Sequence, residues 1–190
     1  MRNAGRGAFA LNLLSNRRQR SSTSTMARPI ILGLAATYAI AVVQSTVASR
    51  LAILHVTPDL LLLWTISLGL LRGPTVGAVS GWLSGLLQGA LEQSWIGGYA
   101  ISKTLSGFLA GHLGTRVLKE NWLVPALCAA VLTLLNETCF LAFARSSQLW
   151  AGAGKVIAVR VVYHAVLAPF VFAGADRAHR ALTRRRWEPE

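Results

Sequence analysis

From Gly73 to Gly89 glycine returns at every fourth position: Gly73, Gly77, Gly81, Gly85 and Gly89. On a helix this spacing keeps the glycines along one side, and in water each would cost about 1 kcal/mol relative to alanine. In lipid the same row of small residues lets a second backbone approach closely and pack by dispersion. Gly107 and Gly111 repeat the step one apolar run later. The pattern therefore predicts a helix–helix face, between these two runs or, as the alternative, toward a partner protein.

Six apolar runs follow one another, at about 30–48, 60–71, 75–91, 98–114, 122–143 and 157–175, separated by short segments holding charge, Pro or Gly. Of 190 residues 53% are hydrophobic and 14% charged, and the mean hydropathy is +0.48. That is too apolar for a soluble domain of this length. The expected fold is an all-α integral membrane protein of about six transmembrane helices, with the lipid bilayer as its solvent. The second run is the exception: as a helix it is about 18 Å long against a hydrocarbon core of ~30 Å, so it could be a half-span. Residues 1–28, with six arginines and a Ser/Thr tract, read as a disordered basic tail, 29–176 as one membrane domain, and 177–190 as a second basic tail.

A net charge of +12 would suggest nucleic acid if it lay on a soluble face, but here it sits at chain ends and in loops. If all six runs cross, alternate loops carry fourteen and three basic residues. The heavier set is the N-terminal arginines, Arg72, Arg116, Lys119 and five C-terminal arginines; the lighter is Arg50, Arg145 and Lys155. The positive-inside rule then places both termini in the cytoplasm. Trp95, Trp122 and Trp150 fall at run ends, suited to the interface, whereas Trp64 and Trp82 lie deeper and are expected to pack. Cys128 and Cys139 share one run about 16 Å apart, too far to bridge.

Four ionisable residues lie inside the runs: Lys103, Glu137, Arg160 and His164. Intramembrane charge is expensive and normally faces protein or water. Arg160 and His164 are four apart on one helix face, so Glu137 is the expected counter-charge for Arg160 or hydrogen-bond partner for His164, the first being preferred. The cluster is either a structural ion pair, with Lys103 and Arg160 partly snorkelling, or an outward-facing polar pocket. Pro58-Asp59 before the second run reads as a helix start capped by Asp59. No nucleophile–base pair, converging carboxylates, phosphate loop or metal-ligand spacing appears, so neither catalysis nor a cofactor or metal is expected.

Pro58-Asp59-Leu60, Arg72-Gly73, Gly77, Gly81, Gly85-Leu86-Leu87-Gln88, Ala100, Lys103-Thr104 and Gly107-Phe108-Leu109-Ala110-Gly111 together resemble the rod shape-determining protein MreD family. The resemblance singles out Pro58, Asp59 and Gln88 as motif positions; where the family usually has Asp after Leu-Leu-Gln, this chain has Gly89. It implies a bacterial inner-membrane component of the elongation machinery, not an enzyme. The implied partners are MreC, the actin-like MreB and the peptidoglycan synthases, and the implied fold is like that of energy-coupling-factor substrate-binding subunits. A vitamin-transporter substrate-binding subunit is accordingly the alternative function.

Overall fold

The computed structural model describes residues 31–46, 56–116, 123–144 and 152–184. The expectations for the 1–28 tail, Arg50, Lys119, Trp122, Arg145, Trp150 and the last six residues fall outside them. The chain forms two compact units, Met1–Ala36 and Thr37–Glu190. Of the first, the opening residues of one helix are described; everything below concerns the second.

The described residues form six helices: α1 Ile31–Thr46, α2 Leu60–Arg72, α3 Pro74–Leu91, α4 Ile96–Arg116, α5 Leu123–Ala144 and α6 Ala153–Arg184. Within α5 and α6 the stretches Leu123–Phe143 and Ala153–Ala178 are long and apolar enough to cross a membrane. α6 runs through Arg184, so the basic C-terminal segment begins as helix.

α2 starts where the Asp59 side chain accepts from the Leu62 N–H, 2.8 Å away, leaving one fewer unpaired donor in the first turn. It ends at Gly73, whose φ of 93° and ψ of 179° define a region that only glycine adopts freely. Pro74, with φ already suited to a helix, then opens α3 at once. Gly73 is thus a turn residue and not a rung of the packing row: a Cβ there would meet nothing within 4 Å, and what excludes a side chain is the backbone angle.

The remaining rungs behave as contact glycines. Gly77 faces the Gly107 backbone, Gly81 the backbone of Lys103 and Thr104, Gly85 that of Tyr99 and Ala100, and Gly89 that of Ile96. Gly111 faces Gly73 and Pro74. The partner numbers fall as the rung numbers rise, so α3 and α4 are antiparallel. Gly69 on α2 and Gly114 on α4 join the same seam, the first against Gly107 and Gly111, the second against Leu70. α2 therefore runs parallel to α4, with α3 lying against both.

Short as it is, α2 forms the centre. Leu61 through Ser67 are buried without interruption, as expected of a helix enclosed on all sides. Leu62, Ile66 and Leu70 pack with Ala110, Cys128 and Leu132 of α4 and α5. Leu63 packs with Ala129 and Ala168 of α5 and α6. Trp64 is nearly buried, its indole N–H donating to Thr37 at 3.1 Å. Trp82 departs from the packing expected of it: it is 52% exposed, because the rungs turn the opposite side of α3 toward α4. Cys128 and Cys139 are free thiols.

Candidate functional site

Polar side chains from the neighbouring helices converge on the start of α2. Asp59 is the hub. Its Oδ1 caps α2, and its Oδ2 pairs with the Lys103 ammonium of α4, a side chain with no exposed area. Its own backbone N–H donates to His164 Nε2 of α6 at 2.8 Å. A backbone N–H can only donate, so Nε2 carries no proton, and in the neutral ring Nδ1 donates to Thr133 Oγ1 of α5, 2.8 Å away. The next donor of α2, the Leu60 N–H, goes to Gln44 Oε1 of α1 at 2.7 Å. Three helices thus supply partners to the start of α2, and α5 joins them through His164.

Arg160 forms a second group, its Nη1 donating to Glu137 Oε1 at 2.8 Å between α6 and α5. A third lies at the turn from α3 to α4. Glu92, which ends α3, accepts from Gln88 Nε2 at 2.7 Å and from the Tyr99 hydroxyl at 2.5 Å. Tyr99 stacks on Phe140 of α5 with ring centroids 4.5 Å apart. Trp95 meets Phe143 edge-on.

The four ionisable residues divide their bonds between two neighbouring centres: Lys103 and His164 go to Asp59, and Arg160 goes to Glu137. Lys103 does not snorkel, because its counter-charge lies inward and the side chain is enclosed. Arg160, with 23% of its side chain exposed, stays at the margin. An outward-facing pocket is not what these groups form; His164 and Lys103 are both fully buried and bonded to protein. Asp59 exceeds its expected capping role because one carboxylate oxygen suffices for the cap. That second role has no local sequence signal, since Asp59 and Lys103 lie 44 positions apart.

Gln88 is mostly buried and fixes the Glu92 carboxylate. At Gly89 a Cβ would lie 2.6 Å from Ile96 Cα, closer than real Cβ atoms come, so no Asp fits there while α3 and α4 keep this separation. Pro58 is buried just ahead of the cap.

Chemically the arrangement joins helices. Each ionisable group of the first two clusters is bonded to another helix, and no group of three or more His, Cys, Asp or Glu able to hold a metal occurs among the described residues.

The family model for rod shape-determining protein MreD matches residues 28–173. No curated protein and no solved structure matches. The expected likeness to energy-coupling-factor subunits is thus without support from solved structures.

Proposed function

This chain belongs to the MreD family of rod shape-determining proteins, and from that premise we propose that it is a multi-pass inner-membrane scaffold coupling the cytoskeletal side of the elongation machinery to peptidoglycan synthesis through MreC. A role in rod-shape determination and a place in a membrane come with the family, which is one of shape-determining proteins and not of enzymes. The carrying observation is the extent of the match: 28–173 of 190 residues takes in α1 to α5 and most of α6.

The fold supports a binding role. Glycine contacts draw α2, α3 and α4 into one block, and polar bonds tie α2 to α1 and α6. A block of this kind can hold partners at fixed positions on the two membrane faces. Both termini are assigned to the cytoplasm by the charge bias, which puts the Asp59 and Glu92 end toward the periplasm.

The test is depletion of the protein in its own cells, with rescue by a tagged copy that is then purified in mild detergent and identified with its companions by mass spectrometry. Rounded cells on depletion, with MreC and the elongation synthases co-purifying, are expected. Rescue of shape without MreC in the eluate would overturn the coupling role; a transporter ATPase in its place would favour the transporter alternative.

A further inference from the structure

We propose that the tip between α3 and α4 is a binding notch for the primary ammonium of an aminophospholipid headgroup. Glu92 accepts from two neutral donors, Gln88 and Tyr99, and no Lys or Arg among the described residues pairs with it. Its carboxylate is oriented by neutral donors alone. The Gln88 amide cannot be reversed, because a carboxylate only accepts and so must face the NH2. This leaves Gln88 Oε1 as an acceptor without a partner on a side chain that is 94% buried, its residue retaining 6% exposure. Buried acceptors in folded proteins normally have a hydrogen-bond partner, from the protein, water or a ligand. Two acceptors, one charged, call for a cation that carries N–H donors.

The surroundings choose a lipid. Residues Leu91 to Gly97 are all exposed, and they include Leu91, Trp95 and Ile96, large apolar side chains unsuited to water. Below Gly97 the face of α4 continues with exposed Ile101, Leu105 and Phe108, a path for an acyl chain. Trp95 is held in place, since its ring lies on Gly98, where an added Cβ would come 2.6 Å from an indole carbon, and against Phe143. A fixed indole offers a face to a cation and an N–H to a phosphate or ester oxygen. α3, about 27 Å long, sets this tip at headgroup level if it spans the bilayer. At that level the leaflet supplies ammonium at high local concentration.

The inference rests on α3 and α4 lying in the membrane, an association that flotation of the protein with vesicles checks separately. The full chain is reconstituted with equal amounts of phosphatidylethanolamine, its N-trimethyl analogue phosphatidylcholine, and phosphatidylglycerol, and retained lipids are counted by native mass spectrometry. The trimethyl headgroup has the same charge and no N–H. Wild type is expected to prefer phosphatidylethanolamine over phosphatidylcholine about tenfold, the scale of one charge-assisted hydrogen bond. Glu92→Gln, which keeps an acceptor for Tyr99, is expected to bring the ratio near one, while Trp82→Leu on the exposed side of α3 leaves it unchanged. Equal retention by wild type, a preference for phosphatidylglycerol, or a preference surviving Glu92→Gln would overturn the site even if the protein floats. Failure to float would overturn the membrane association with it.

Discussion

A methyl group added at Gly85 would sit 2.5 Å from the Cα and 2.6 Å from the N of Ala100, so α3 and α4 would have to part. Backbone cannot rotate aside as a side-chain tip can, and overpacking of this kind typically costs about 1–3 kcal/mol. Gly174 on α6 has nothing within 4 Å of the same point. Gly85→Ala is therefore expected to lower the free energy of unfolding in detergent by that amount, and Gly174→Ala to leave it unchanged or raise it slightly; equal effects would mean that the α3–α4 seam is looser than described. Gly73→Ala belongs with Gly85→Ala in outcome but not in cause, since its penalty comes from φ and not from a neighbour. Six of the contact glycines, four on α3 with Gly107 and Gly111 on α4, were readable in the sequence because a four-residue step is local information. Gly73 shares the step and not the role, because spacing carries no backbone angle. Gly69 also keeps the step, yet it lies beyond the turn, on a different helix, where helical spacing loses its meaning.

At the scale of elements, α2 presents the main physical problem of the fold. Thirteen residues rise about 20 Å, well short of the ~30 Å hydrocarbon core, so in the proposed membrane placement at least one end of α2 lies where water cannot satisfy free backbone groups. Lys103, the partner of Asp59, is the eighth residue of α4, about 10 Å along it, which puts the start of α2 below the start of α4. Asp59, His164 and Gln44 supply the partners that water would otherwise give. Removing one member of a buried pair leaves an uncompensated charge and costs about 3–5 kcal/mol, whereas removing both costs much less. Lys103→Met alone is expected to destabilise by about that amount, and Asp59→Asn, which still caps α2, to recover a large part in the double variant. A double-mutant cycle measured by unfolding in detergent would show coupling; additive losses would mean that the pair does not bind α2 to α4. The sequence offered each half of this pair separately, one as a cap and one as an intramembrane charge. Joining them requires knowing that α2 and α4 are parallel neighbours with α3 folded back against both, and that follows from the glycine contacts in three dimensions.

Across the whole molecule, helix directions alternate and two of the contacts give the sense. Gly73 reverses α2 into α3, and α3 and α4 are antiparallel along the rungs; Thr133 meets His164 and Glu137 meets Arg160, a register that makes α5 and α6 antiparallel too. In the orientation proposed from the charge bias, Thr57 and Ser94 lie at the outer end and Thr75 and Ala178 at the inner end. Single cysteines at these four positions, all exposed, can be probed in intact cells with a membrane-impermeant maleimide. The native Cys128 is buried and Cys139 partly so, both within α5, which keeps their background slow. Ser94→Cys is expected to label from outside at once, and Thr75→Cys and Ala178→Cys after permeabilisation alone. Thr57→Cys should label from outside but more slowly, since α2 begins in a recess below the helix tips. The decisive comparison is Thr57 against Thr75. Labelling from opposite sides means that a helix too short for the bilayer still carries the chain across, with its polar start buried among longer neighbours. Labelling from the same side makes α2 re-entrant, breaks the even count of crossings, and removes the argument that places both termini in the cytoplasm.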